Sequence, residues 1–218
     1  MNINHTNIKQ RVETLATRGL LENTFGAESH EFMLNQPLTE DKVGSFEVAY
    51  KIVLPTDYKT FLTQIGNGGA GPAYGVFKLG EMDDSWDHKS WEENDGFIGI
   101  LSLPFPHSEA WNDLHDRPDY DIEDEELLKA QIEVFEERYF DSSLVNGAIP
   151  ICHFGCNIRH WLVISGSETG NVWCDDRANT TGIYPLQTGK KHRMSFMEWY
   201  LEWLEDAEQT SNQFQQSQ

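Results

Sequence analysis

Cysteine, basic residues and long apolar runs are all scarce in this chain, and each shortage excludes a class of protein. The three cysteines, Cys152, Cys156 and Cys174, are odd in number and clustered late, which does not suit a disulfide framework. No apolar run approaches the roughly 20 residues that a membrane-spanning helix needs. The first residues, MNINHTNIKQRVETL, show no basic start followed by an apolar stretch, so we expect no secretory signal and a cytoplasmic location.

Acidic residues outnumber basic ones by 36 to 16, which gives a formal net charge of −20 at pH 7. Affinity for nucleic-acid phosphate and for anionic membranes comes mainly from lysine and arginine, so both kinds of partner are disfavoured. The same surface would attract a basic protein and accelerate its capture. A simpler explanation, that the acidity only keeps the chain soluble, stays open.

The length of 218 residues is enough for one well-buried core and only marginally for two. The apolar and aromatic content is that of an ordinary folded protein, and no internal repeat or linker divides the chain. We therefore expect a single domain over residues 1–208, with an elaborated acidic segment at about 81–147. A flexible tail is expected at 209–218.

The most informative stretch is LPTDYKTFLTQIGNGGAGPAYGVFKL, residues 54–79. Pro55 suits the first position of a helix. Apolar residues then recur at the spacing of one helical face: Tyr58, Phe61, Leu62 and Ile65. Gly66 occupies a position where a helix favours a left-handed residue, and residues 67–69 continue the demand for unusual backbone angles. After these glycines the spacing becomes that of a strand at 74–79. The stretch contains no nucleophile, metal cluster or phosphate loop, so we interpret it as architecture.

Apolar spacing predicts the remaining elements. Further helices are predicted at 8–18, 39–51, 125–140 and 195–208. Ser195 and Glu198 form a capping-box pattern at the start of the last helix, whose face is heavily aromatic. Short apolar runs separated by turn residues predict an antiparallel meander of four strands, at 148–154, 160–165, 170–174 and 182–186. A further short strand is predicted at 97–101. The expected fold class is α+β, with a mainly antiparallel twisted sheet flanked by N-terminal helices and covered by the aromatic C-terminal helix.

Two ordered groups of motifs lie at residues 39–80 and 148–206. The first is LP-x-DY-x-x-FL followed by N-GG-x-GP, and the second is the series WLVISG, GNVWCDDRA, GIYPL and SFMEWYLEWL. Together they resemble the SMI1/KNR4 family, also called the SUKH superfamily. The resemblance implies an α+β domain without enzymatic activity, which in bacteria commonly acts as an immunity protein against a secreted or contact-delivered toxin. It also implies a structural role for the motif residues Leu54, Pro55, Asp57, Tyr58, Phe61, Leu62, Asn67, Gly68, Gly69, Gly71, Pro72, Trp173, Asp175, Asp176 and Arg177.

Two groups of residues could carry chemistry. The first could be written as a zinc site: Cys152, His153, Cys156 and His160. Cys152 and His153 are neighbours in a predicted strand, so their side chains point to opposite faces and a shared metal is disfavoured. Asp175 and Asp176 could bind magnesium or act as acid and base, although pairing with Arg177 in a turn is the plainer interpretation. We expect no metal and no cofactor, and we keep a metal- or thiol-dependent hydrolase as the weaker alternative.

The acidic stretches 81–95 and 113–126 are the predicted partner-binding surface, where charge would steer a basic protein toward tryptophan anchors. The candidate residues are Trp86, Trp91, Trp111, Asp83, Asp84, Glu92, Glu93, Asp121, Glu123 and Asp124. Trp86 and Trp91 have a second interpretation, in which they pack back on the domain. The resulting hypothesis is an immunity protein that neutralises a cognate basic toxin, such as a nuclease. The alternative is a regulatory scaffold for endogenous partners, and nothing in the sequence indicates an oligomeric state.

Overall fold

The computed structural model describes residues 5–18, 21–84, 87–91, 96–189 and 192–216. Within these residues the chain forms five α-helices: α1 (His5–Thr17), α2 (Glu40–Tyr50), α3 (Thr56–Thr60), α4 (Glu125–Tyr139) and α5 (Phe196–Gln216). It also forms six strands: β1 (Glu81–Asp84), β2 (Asp87–Ser90), β3 (Ala148–Gly155), β4 (Ile158–Val163), β5 (Val172–Asp176) and β6 (Gly182–Pro185). No helix in the described part of the chain is long and apolar enough to cross a membrane.

Strands β3 to β6 form one sheet in sequence order, and every neighbouring pair is antiparallel. Strands β1 and β2 form a separate two-stranded antiparallel sheet. The tight turn between β3 and β4 has left-handed backbone at Gly155, Cys156 and Asn157, and glycine and asparagine adopt that conformation most readily. The predicted antiparallel meander and the α+β fold class are confirmed.

Side chains alternate between the two faces of this sheet, and both faces are buried. Leu162 joins the main core, which includes the apolar face of α5, whereas its neighbour Trp161 belongs to a second core. The second core also contains Phe105, Val145, Trp173 and Ile183. The sequence predicted the layer under α5, but it gave no sign that segments between residues 98 and 145 would cover the opposite face.

Both edges of the sheet are closed by backbone pairing with irregular segments. On the β3 edge, the N–H of Phe77 donates to the carbonyl of Ile151 at 2.9 Å. On the β6 edge, Trp111 and Ile183 exchange two backbone hydrogen bonds of 2.8 Å each. The prediction of a strand at 74–79 is wrong, because this segment pairs with the sheet only through isolated β-bridges. Since an unpaired sheet edge can pair with another chain, this closure removes a route to aggregation.

Helix α3 begins one residue after Pro55, which is its N-cap rather than its first helical residue. The helix continues as a π-turn over Phe61–Ile65. The helical segment predicted after Pro55 is therefore present, but only its first part is a regular α-helix. The N–H of Gly66 closes this turn by donating to the carbonyl of Phe61 at 2.9 Å. The wider turn keeps three of the predicted apolar residues fully buried: Phe61, Leu62 and Ile65.

The glycines after α3 are required for two different reasons. Gly66 has a φ of −176°, which is extended backbone, so the prediction of a left-handed residue there is wrong. A side chain is excluded instead by space, because a Cβ on Gly66 would lie 2.9 Å from the carbonyl oxygen of Asn35. The left-handed positions are Gly68 and Gly69, with φ values of 74° and 99°.

Two further segments differ from their predictions. Residues 97–101 form turns rather than a strand, because Asn146 accepts the N–H of Ile100 with its side chain at 2.7 Å and replaces a strand partner. Helix α5 continues through Gln216, where the sequence predicted a flexible tail from residue 209. Ser211 is fully buried in this part of the helix and accepts a hydrogen bond from Arg18 at 3.0 Å. Residues 217–218 lie outside the described residues.

The start of α5 has the predicted capping box. The carboxylate of Glu198 accepts the N–H of Ser195 at 2.9 Å, and the hydroxyl of Ser195 accepts the N–H of Glu198 at 3.3 Å. Further along the helix, the carboxylate of Glu208 accepts two hydrogen bonds from Arg11 of α1, at 2.8 and 2.7 Å. Helix α5 is therefore fixed at its start by its own cap and in its C-terminal half by α1.

The glycine turn gives a direct test of the fold. Gly69→Ala is expected to lower the free energy of unfolding by at least about 2 kcal/mol, because it forces alanine into a left-handed conformation. The added Cβ would also lie 2.4 Å from the carbonyl oxygen of Met33. Gly44→Ala in α2 is the matched control, with nothing within 4 Å of the new Cβ. It should raise the free energy of unfolding by about 0.5–1 kcal/mol. Urea unfolding measures both, and equal effects would contradict the assigned turn.

Candidate partner-binding surface

The start of the 54–79 stretch holds helix α5 in place. One carboxylate oxygen of Asp57 accepts the N–H of Tyr58 at 2.8 Å, and the other accepts the N–H of Met197 at 3.1 Å. Burial raises the pKa of Asp57, while these N–H donors favour its charged form. The rings of Tyr58 and Phe61 contact the ring of Phe196, with centroid distances of 4.8 and 5.1 Å. These motif residues therefore position the first turn of α5.

Hydrogen bonds and close packing hold the glycine turn in place, and one of these hydrogen bonds joins it to the sheet. The side chain of Asn67 accepts the N–H of Leu79 at 2.9 Å. A Cβ on Gly71 would lie 2.5 Å from a neighbouring side-chain carbon. The carbonyl of Pro72 accepts a hydrogen bond from the thiol of Cys152 on β3 at 3.1 Å. The two leucines of the motif, Leu54 and Leu62, are buried in the main core.

The motif residues at the end of β5 tie the sheet to α4. Arg177 donates to both carboxylate oxygens of Asp175, at 2.8 and 2.6 Å, and both side chains are buried. Arg177 also donates to the carbonyl of Tyr139 at 3.0 Å, at the C-terminal end of α4, where the helix dipole favours a cation. Asp176 accepts a side-chain hydrogen bond within the same turn at 2.6 Å. Trp173 is fully buried in the second core.

The residues considered as a zinc site differ in burial and in their contacts, although Cys152 and His160 are register partners on β3 and β4. Cys152 is buried and bonds to Pro72, whereas Cys156 is exposed in the turn between β3 and β4. His160 is buried, and its Nδ1 accepts a hydrogen bond from Nε1 of Trp199 at 3.1 Å. Among the described residues, no group of three or more His, Cys, Asp or Glu side chains is arranged to hold a metal ion. The three cysteines, all of them described, form no disulfide.

The candidate anchor Trp91 packs back on the domain, which is the second of its two interpretations. Its side chain is 7% exposed and contacts the rings of Phe46 and Tyr50 on α2, at centroid distances of 5.6 and 5.9 Å. Asp83 and Asp84 lie on strand β1. The remaining candidates of this acidic stretch lie outside the described residues: Trp86, Glu92 and Glu93.

The candidate anchor Trp111 is half-buried and contributes to the second core. Its backbone closes the β6 edge, and its ring stacks on Tyr139 with centroids 5.5 Å apart. Asp124 is the N-cap of α4 and accepts two backbone N–H groups of the first turn, at 3.1 Å each. Asp121 and Glu123 are exposed. The acidic turn before α4 therefore faces solvent, while the tryptophan is engaged in packing.

A groove of about 420 Å³ lies along helix α5, at a place that the sequence did not indicate. Its walls are residues 23–25, residues 72–73, Phe154 of β3, His160 of β4, residues 186–187, Met194 and one face of α5. We call it the α5 groove. Its lining includes Phe25, Phe154, His160, Trp199, Glu202, Trp203 and Asp206.

Aromatic rings form a continuous row in the α5 groove. The centroids of Phe25 and Phe154 are 5.9 Å apart, and Phe154 stacks on His160 at 4.7 Å. His160 in turn meets Trp199 at 5.9 Å. Phe25 and Phe154 remain 59% and 37% exposed. A cleft lined by aromatic side chains with a few polar groups is the usual form of a binding site.

The charge in the α5 groove is negative. Burial lowers the pKa of His160 to about 4, so the imidazole is neutral at physiological pH. The indole N–H of Trp199 can only donate, so Nδ1 of His160 is the acceptor and the ring carries its proton on Nε2. The formal charges of the described lining come from two exposed carboxylates on α5, Glu202 and Asp206.

Sequence reasoning missed this groove because its parts are far apart along the chain. Phe25 and Phe154 come together only after the loop at 23–25 packs beside the end of β3. One signal was present, which is the i, i+4 spacing of two pairs on α5: Trp199 with Trp203, and Glu202 with Asp206. That spacing places an aromatic row beside an acidic row on one helix.

A scan against protein-family models matches the SMI1 / KNR4 family (SUKH-1) over residues 37–199. This chain belongs to that family. The resemblance that the motifs at 39–80 and 148–206 carried is thereby confirmed. Comparison with curated proteins and with solved structures gave no match.

The α5 groove is lined by residues inside and outside the range of the SUKH-1 match. Phe154, His160 and Trp199 lie inside the matched residues, whereas Phe25 and Asp206 lie outside them. The groove therefore joins residues of the SUKH-1 region to residues on either side of it.

The buried pair at the end of β5 should be essential for the stability of this SUKH-1 domain. Asp175→Asn and Arg177→Gln should each lower the free energy of unfolding by about 3–5 kcal/mol, because each leaves a buried charge without its partner. The double variant should lose less than the sum of the two, as measured by urea unfolding. Asp113→Asn is the control, because it removes one partner of an exposed 2.7 Å pair with Arg138 and should have a smaller effect. Strictly additive losses would show that the buried pair is not coupled.

His160 should make stability depend on pH in a defined window. An unfolded histidine binds a proton below a pKa of about 6.5, whereas the folded chain keeps His160 neutral down to a pKa of about 4. The free energy of unfolding should therefore rise with pH between about 4 and 6.5, by about 3 kcal/mol in total from this residue.

His160→Gln isolates this contribution, because glutamine keeps an acceptor for Trp199 and does not titrate. The unfolding free energy of the wild type minus that of the variant should rise across the window and stay flat above it. His30, whose pKa is also lowered to about 4 by burial, is present in both proteins and cancels. A difference that does not change with pH would contradict the neutral, buried His160.

Proposed function

We propose that this SUKH-1 chain is a non-enzymatic immunity protein, which binds a basic toxin and neutralises it in the cytoplasm of the cell that produces both. The observation that carries the proposal is the family match over residues 37–199. The resemblance stated above implies a binding role for this family, and in bacteria commonly one of protection against a toxin. The charge of the chain and the arrangement of its reactive side chains support the same conclusion.

The net charge of −20 favours a basic partner. A strongly acidic surface raises the encounter rate with a positively charged protein and disfavours partners of the same sign. The exposed carboxylates of Asp121 and Glu123 belong to this surface. A toxin that cleaves nucleic acid fits this requirement, because binding to phosphate relies on lysine and arginine. An acidic chain can occupy such a nucleic-acid site by offering carboxylates in place of phosphates.

The side chains that could support an enzymatic alternative lie in separate settings. Cys156 is in an exposed turn, His160 is buried and bonded to Trp199, and Asp175 is buried against Arg177. A nucleophilic mechanism needs a nucleophile, a base and an orienting group within hydrogen-bond reach of one another. These different settings support a role in binding rather than in catalysis.

Co-expression with the toxin encoded beside this chain tests the proposal. Cells that make both proteins should grow, whereas cells that make the toxin alone should arrest. The two proteins should also co-purify as a complex, because neutralisation here depends on binding. Growth arrest in the presence of soluble, folded chain would contradict the proposal.

Cys156→Ser is the matched control for the enzymatic alternative. The cysteine lies in an exposed turn, so serine should leave the fold and the protection unchanged. A thiol-dependent hydrolase would lose its activity with that substitution. Loss of protection by a folded Cys156→Ser protein would therefore favour the hydrolase over the binding protein.

A further inference from the structure

We infer that the α5 groove is the docking site for a basic segment of the toxin, with an apolar side chain of that segment on the exposed rings and a neighbouring lysine or arginine against the carboxylates of α5. This inference rests on the proposed function, because it takes the partner to be a basic protein. It also moves the main contact away from the tryptophans of the acidic stretches. Trp91 and Trp111 are engaged in packing, whereas the rings of the groove face an open cleft.

The apolar part of the site is preformed. Phe25 and Phe154 are exposed, yet each ring already contacts an aromatic neighbour: Phe25 contacts Tyr74 at 5.5 Å, and Phe154 contacts His160 at 4.7 Å. A partner that covers them gains apolar burial without having to order loose side chains. Buried aromatic residues supply much of the binding energy at protein interfaces. The row of rings is therefore suited to receive one apolar side chain of a partner.

The acidic part of the site lies beside these rings on α5. Glu202 and Asp206 are four residues apart, so their like charges lie on one face of the helix and destabilise it slightly. Among the residues that the structure describes, neither carboxylate forms an ion pair with a basic side chain. A lysine or arginine of a partner would relieve the repulsion, and it could also lie over the electron-rich faces of the neighbouring rings.

His160 completes the site with a hydrogen-bond donor and without a positive charge. Its Nδ1 is occupied by the N–H of Trp199, so the hydrogen of the neutral ring is on Nε2 and can be donated to a carbonyl oxygen. A protonated histidine at this position would repel a cationic segment. The buried, neutral ring instead keeps the groove negative.

The occupant is a basic segment of another protein rather than a second copy of this chain. Two copies would each bring a charge of −20, so repulsion between like charges opposes their association. Strand addition is also disfavoured, because backbone pairing closes both edges of the four-stranded sheet.

Charge reversal on α5 tests the inference against a matched control. Glu202→Lys combined with Asp206→Lys should weaken binding of the neighbour-encoded toxin at least about tenfold, because two attractive contacts become repulsive. Glu133→Lys combined with Glu137→Lys on α4 makes the same change in net charge at the same i, i+4 spacing, on exposed residues away from the groove. This control should weaken binding less than about threefold, by its effect on long-range steering alone.

A second variant addresses the apolar part of the groove. Phe154→Ala should weaken the same complex at least about fivefold, since the ring is exposed in the chain alone and covered in the complex. Circular dichroism and urea unfolding show whether each variant folds. If Phe154→Ala does not fold, Phe25→Ala replaces it, because the ring of Phe25 is 59% exposed. Equal affinities of the wild type and the groove variants, with protection intact, would overturn the inference and leave the proposed function standing.

A peptide experiment tests whether the α5 groove binds a basic segment, even if the wild-type chain does not protect cells from the toxin. The probes are the basic peptide acetyl-GKLFKKG-amide and its acidic counterpart acetyl-GELFEEG-amide. The basic peptide should shift the indole N–H resonance of Trp199 in an NMR titration, and the acidic peptide should not. No shift with the basic peptide would overturn the inference. Self-association of the chain that Phe154→Ala abolishes would also overturn it, because the groove would then bind a second copy.

Discussion

The hydroxyl of Tyr200 donates a hydrogen bond to the carbonyl of Ala70 at 3.0 Å, and this buried contact joins helix α5 to the glycine turn. The rings of Phe61 and Tyr200 meet at 4.9 Å beside it. Asp57 fixes the first turn of the same helix through the N–H of Met197. Without this junction the main core would be open on one face of the sheet. The α5 groove depends on it as well, because α5 is one of its walls.

The opposite face of the sheet depends on a separate junction. Arg177 links the end of β5 to the last turn of α4 through Asp175 and the carbonyl of Tyr139. Trp173 lies in the core that this junction closes. Residues between 98 and 145 therefore contribute to the second core. A sheet covered on both faces has little freedom to deform, which keeps the residues at its ends in fixed positions.

Features that depend on local spacing could be predicted from the sequence, and features that depend on distant contacts could not. The four-stranded meander and the cap formed by Ser195 and Glu198 follow from periodicity and from a motif of four residues. A glycine directly after a helix predicts a left-handed conformation at Gly66. The actual requirement for glycine comes from the carbonyl of Asn35, which belongs to a distant segment. The α5 groove was missed for the same reason, since Phe25 has no local relation to the helix it faces.

The paired edges of the four-stranded sheet affect how readily copies of this chain associate at high concentration. Chains can associate by pairing through unpaired edges of their sheets. In the four-stranded sheet, residues 74–77 pair with one edge strand and Trp111 pairs with the other. Mutual repulsion between chains of the same strong charge acts in the same direction. Paired sheet edges and like-charge repulsion therefore both act against self-association at high concentration.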